Sequence, residues 1–115
     1  MDHLYRQNFI AVFLGDDRAA RKRARSLNLR YGICSVILDK KPSIISHLSP
    51  CIKARGIGDG QCDDILLAEL FSVSCEPYRT YLLFASEQFE GFVRRNASSL
   101  ERCFIMKPEA VISSL

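Results

Sequence analysis

Three short stretches carry groups able to hold a polar ligand. Gly15-Asp16-Asp17 follows an apolar run, Asp39 ends a second run, and Ser86-Glu87 ends a third. Carboxylates and a hydroxyl at such positions can contact a substrate through hydrogen bonds. No nucleophile and base are paired with them, so the sequence assigns no catalytic residue. His3 and His47 are remote from each other and from every cysteine, which leaves neither a triad nor a metal-ligand set. The five cysteines, Cys34, Cys51, Cys62, Cys75 and Cys103, are odd in number, widely spaced and without a C-x-x-C pair. They read as reduced thiols, mostly at strand or helix positions where Cys acts as a small hydrophobe.

Two glycine-containing stretches invite comparison with phosphate-binding motifs, and both fall short. A dinucleotide fingerprint needs G-x-G-x-x-G, whereas Gly15-Asp16-Asp17-Arg18-Ala19-Ala20 keeps one glycine and sets two carboxylates where a pyrophosphate would sit. Asp39 could meet a ribose hydroxyl, but an acidic residue there is also an ordinary turn residue. Gly56 to Gly60 lacks the Lys-Ser/Thr of a phosphate loop and reads as a flexible turn. Arg18, Arg21, Lys22, Arg23, Arg25 and Arg30 spread around a helix instead of forming a stripe, so they read as a solvated face and imply no nucleic acid.

The elements that position these groups follow from apolar patterning. Phe9 to Leu14 is a continuous apolar run, as a central parallel strand covered on both faces requires. Asp16 or Asp17 then caps a helix over Arg18 to Tyr31, on which Ala20, Ala24, Leu27 and Tyr31 share one face, and Gly32 stops it. Ile33 to Leu38 is the second strand, and Pro42 opens a short helix through Ile44, Ile45 and Leu48. Cys51 to Ala54 is a third strand nearer a sheet edge. Asp63 or Asp64 caps a helix over Ile65 to Val73. Thr80 to Ala85 is a fourth strand, Ser86 caps a helix that places Phe89, Phe92, Val93 and Leu100 on one face, and Cys103 to Met106 is a fifth strand stopped by Lys107-Pro108. Strands alternating with helices predict a three-layer α/β domain with a mostly parallel sheet of about five strands. Ligands of such sheets gather beyond the carboxyl ends of the strands, which groups Gly15, Asp16, Asp17, Asp39, Gly58, Asp59, Ser86 and Glu87 on one rim.

The totals agree with that picture. A chain of 115 residues, 48% hydrophobic and 25% charged, accommodates one core, 1–115, with no internal linker or repeat. A net charge of +3 favours solubility without selecting a partner. No apolar run is long enough to span a membrane and the N-terminus lacks a signal-peptide stretch, so a cytoplasmic location is expected.

Phe9 to Asp17, Ala24-Arg25-Ser26 leading to Tyr31-Gly32-Ile33, and Phe84-Ala85-Ser86-Glu87-Gln88-Phe89-Glu90-Gly91-Phe92-Val93 together resemble the opening domain of ATP-grasp ligases. The resemblance is to D-aspartate ligase-like and carbamoyl-phosphate-synthetase-like members and runs through nearly the whole chain. It implies a Rossmann-like pre-ATP-grasp domain, the N-terminal fragment of a longer protein. A following ATP-grasp domain of the same polypeptide would hold ATP and magnesium and form an acyl phosphate for attack by an amine. This chain would then need no cofactor of its own, would help shape a small-molecule substrate site through Gly15 to Asp17 and Ser86-Glu87, and would be inactive alone. The family often has Ser or Thr followed by Asp at the latter turn, where this chain has Ser86-Glu87. The alternative is a free-standing interaction or signalling module of receiver type, with Asp16-Asp17 as its acidic pair, Asp59 as phosphate acceptor and Lys107 as the charge-offsetting lysine. An exposed edge strand makes a homodimer a further expectation.

Overall fold

A computed structural model describes residues 8–58 and 62–114. Asp59 and Gly60, on which the receiver alternative and part of the glycine turn depend, lie outside the described residues, as does His3. Five strands form one sheet: β1 (Phe9–Leu14), β2 (Cys34–Asp39), β3 (Ile52–Gly56), β4 (Thr80–Ala85) and β5 (Phe104–Ile105). Their order is β3-β2-β1-β4-β5 and every pairing is parallel. The predicted α/β class therefore holds: this is a small Rossmann-like fold. Receiver domains share a different order, 2-1-3-4-5, so the receiver-type alternative conflicts with the topology.

The continuous apolar run of β1 has its predicted reason. Val12 and Leu14 face one layer with Leu66, Leu70, Leu83, Phe92 and Leu100, while Ala11 and Phe13 face the other with Ala20, Ala24 and Leu27. Helices cover both faces. Helix α1 (Arg18–Tyr31) starts at an Asp17 cap and ends at Gly32, whose φ of 70° is the left-handed conformation expected of a C-terminal glycine. Ala24 is fully buried against the sheet. The predicted two-sided packing is met by α3 (Asp63–Val73), α4 (Glu90–Arg95) and α5 (Ala97–Leu100) on the far face.

Several boundaries differ from the sequence reading, each for a local reason. Pro42 precedes α2 (Ile44–Leu48) instead of opening it, because Ser43 is the cap and its hydroxyl accepts the Ser46 N–H at 3.3 Å. Helix α3 includes Asp63 and Asp64 in its first turn, after Cys62. The single helix expected after Ser86 is three pieces: a 3-10 turn (Glu87–Phe89), α4 and α5. The break between α4 and α5 is at Asn96, whose side chain donates to Phe92 O and to Asp63 Oδ2, both at 2.9 Å. Strand β5 is two residues long, and Lys107-Pro108 leads into a sixth helix, α6 (Pro108–Ser113), that the sequence reading did not contain. The cysteines are also corrected: Cys34, Cys62, Cys75 and Cys103 are exposed and Cys51 is half-buried, so they are not core hydrophobes, although all five are free thiols. Among the described residues, no helix is long and apolar enough to cross a membrane.

Candidate functional site

The chain leaves β1 toward β2 and β3 on one side, whereas β4 leads to β5 on the other. The loops after β1 and β4 therefore diverge, and a crevice opens between them at the carboxyl rim. Its volume is about 310 Å³, with Asp17, Ala20, Arg23, Ala85, Ser86 and Glu109 among its lining residues. Backbone bonds past the strand ends hold the rim together: Ser86 N–H donates to Leu14 O and Gly15 N–H to Leu38 O, both at 2.8 Å.

Gly15 and Ser86 form the tightest point of this rim. Gly15 has a φ of 106°, which disfavours any side chain, and a Cβ there would collide with the Ser86 hydroxyl. The absent side chain makes room for Ser86. Ser86 begins the following 3-10 turn, but its hydroxyl makes no capping bond, contrary to expectation. Its Oγ is buried and lacks a hydrogen-bond partner among the described residues. A buried hydroxyl left unpaired costs about 1–3 kcal/mol, so a ligand group gains correspondingly if it draws the Ser86 side chain round from Gly15 and pairs with it. Glu87 is exposed beside it.

The acidic residues divide into different tasks. Asp17 Oδ1 accepts the Ala20 N–H at 2.7 Å, so its carboxylate occupies the positive end of α1. Asp16 turns away from the crevice and its side chain is 1% exposed. One of its oxygens receives the Arg21 guanidinium at 2.7 Å and the Ser46 hydroxyl at 2.9 Å, and the other receives the Ser43 N–H at 2.5 Å. Burial pushes the Asp16 carboxyl up, but the Ser43 N–H, Arg21 and Ser46 outweigh it and hold the group below the usual carboxylate range. Asp39 is likewise committed: its oxygens accept the Asp16 and Lys40 N–H groups, each at 2.6 Å. Of the predicted rim residues, Asp17 and Ser86 line the crevice, Gly15 abuts Ser86 and Glu87 follows it in an exposed turn without lining the crevice, whereas Asp16 and Asp39 serve as a structural knot tying β1, β2 and α2.

Two contributors were not found by sequence reasoning. Arg23 lies with its guanidinium 5.1 Å from the Phe84 ring centre, over a ring that itself stacks on Phe13 at 4.7 Å, and it pairs with Glu109 at 3.6 Å. Glu109 comes from α6. The available signal was Pro108-Glu109, a proline followed by an acid in a first helical turn.

The rim does not suit a nucleotide phosphate. In this fold phosphates rest on the first helix N-terminus, and here Asp17 caps that end while Asp39 takes the neighbouring Asp16 N–H. Among the described residues, no group of three or more His, Cys, Asp or Glu stands ready to hold a metal ion. A second cleft, of about 350 Å³, opens toward the amino ends of β1, β2 and β4 among Cys34, Lys53, Cys75, Arg79 and Tyr81. Its cations are largely engaged, Arg79 with Glu76 and Arg55 with Glu69. Ser35, whose buried hydroxyl also lacks a partner among the described residues, lines this cleft too, so the carboxyl rim is preferred as the functional site for its diverging loops. Compared with protein-family models, curated proteins and solved structures, the chain gives no match.

Proposed function

We propose that this chain is the substrate-side domain of an ATP-dependent ligase that joins a carboxylate to an amine, of ATP-grasp type, and that it does not act alone. In this reading a separate ATP-grasp domain of the same polypeptide holds ATP and magnesium, while the β1/β4 crevice holds part of the acceptor substrate. The observation that carries the reading is the pairing of an unpartnered Ser86 hydroxyl with an Asp17-capped α1 in one crevice. Such a site offers a polar molecule a hydrogen bond once the Ser86 side chain rotates toward the crevice, and the Asp17 carboxylate repels a phosphate. Arg23 and Glu109 at the same crevice supply one charge of each sign, which suits an amino acid or a similar zwitterion.

Sequencing the gene past the Leu115 codon, followed by an ATPase assay, tests the proposal. We expect the frame to continue into a nucleotide-binding domain, the 115-residue chain to hydrolyse no ATP, and the longer product to do so when an amine and a carboxylate are supplied. A stop codon at that point, or ATP turnover by the chain alone, contradicts it.

A further inference from the structure

Helix α2 is turned inside out. Its polar Ser46 is fully buried, while Ile44, Ile45 and Leu48 are 74%, 64% and 78% exposed. Leu29 on α1, also 74% exposed, adds to the apolar surface. Between α1 and α2 runs a groove of about 980 Å³ that includes Leu29, Ile45 and Ile52, with Arg18, Lys22 and Arg25 also along it. A short helix would ordinarily roll its apolar side inward. Here it cannot, because Asp16 grips the Ser43 N–H and the Ser46 hydroxyl from inside the molecule. The apolar face is therefore held outward by a buried charge.

We propose that this groove docks an acidic amphipathic helix presented by a partner protein. The inference is independent of the ligase reading. Arg18, Lys22 and Arg25 form no ion pair among the described residues, unlike Arg21 and Arg23, so their charge is available to a ligand. Apolar residues at i, i+3 or i+4, and i+7 of a docked helix would lie on Leu29, Ile45 and Ile52, and its flanking carboxylates would meet the three cations. A second copy of the chain fits poorly, since a two-fold contact would set the same cations against one another on a molecule of net charge +3. The concavity favours a helix over a flat anionic bilayer.

The test is an amide-resolved NMR titration of the chain with a synthetic helix of roughly 15 residues, Leu on one face and Glu elsewhere. We expect shifts centred on Leu29, Ile45 and Arg25, and affinity about tenfold weaker at high salt. Ile45→Asp and Lys22→Glu, both at exposed positions, should each weaken binding about tenfold with an unchanged far-ultraviolet spectrum. Four results would overturn the proposal: no shifts at these residues, equal binding of a Lys-for-Glu peptide, binding to phosphatidylserine vesicles without binding to the peptide, or a dimer of the chain that Ile45→Asp dissociates.

Discussion

Ser86 and Gly15 act as one unit, because the space Gly15 leaves empty is where the Ser86 hydroxyl sits. Gly15→Ala should destabilise the fold by about 2 kcal/mol or more, since it adds strain at positive φ to a steric clash. Adding Ser86→Gly should recover only the clash, and chemical denaturation of the single and double variants measures that coupling. Ser86→Ala alone should stabilise the fold, by up to about 1–3 kcal/mol, because it removes a buried hydroxyl that has no partner among the described residues. Asp16 is the opposite case, a buried carboxylate with several donors. Asp16→Asn should cost about 3 kcal/mol by leaving Arg21 without its partner. It should also change the acid limb of the stability curve. The folded carboxyl titrates below its ordinary 3.8, so its stabilisation is present above that value and is lost as pH falls through the folded value. Urea unfolding between neutral pH and pH 2 should show that loss in the parent chain and a flatter slope in Asp16→Asn. Surface Asp63, held low by hydrogen bonds from Arg95 and Asn96, contributes to whatever slope remains.

At the scale of elements, α1 illustrates how far local sequence dictates local structure. Asp17, Ala20, Ala24, Leu27 and Gly32 specify its start, buried face and end, and all five perform as their types require. Asp17→Ala should cost about 1 kcal/mol through the lost cap, and Ala24→Leu about 1–3 kcal/mol because the side chain meets the sheet; thermal unfolding of each variant checks both values. Elements whose boundaries rest on tertiary partners were less legible. Asn96 interrupts the helix after Ser86 because its side chain reaches Asp63, a contact 33 residues away that no local pattern announces. Helix α2 was legible as a helix from Ile44, Ile45 and Leu48, but its orientation was not, since the residue that fixes it is Asp16. The same long-range bonding separates Asp16 and Asp39 from the ligand rim. In sequence their carboxylates look equivalent to that of Asp17, and only the fold shows which oxygens are already taken.

For the whole molecule, the five parallel strands and their two covered faces could be read from the chain because β1, β2 and β4 carry apolar runs bounded by turn residues, with the less apolar β3 and the two-residue β5 at the edges. The order of those strands could not. Orders 3-2-1-4-5 and 2-1-3-4-5 demand the same alternation of elements and differ only in which side of the sheet each crossover takes. That order places the crevice between β1 and β4 and brings Ser86 beside Gly15. It also conflicts with a receiver mechanism, so incubation with acetyl phosphate should add no phosphate mass to the chain. In the proposed function, the β1/β4 crevice receives a polar small molecule through Ser86 and not a nucleotide. An amide-resolved NMR titration with a panel of amino acids and dicarboxylates, run in parallel with ATP and magnesium, tests it most directly. We predict saturable shifts at Gly15, Ala85 and Ser86 with a member of the panel, abolished by Ser86→Ala, and none at these residues with ATP. Shifts at Gly15 and Ser86 with ATP alone, or panel binding that survives Ser86→Ala unchanged, would rule out a Ser86-dependent site for a polar small molecule.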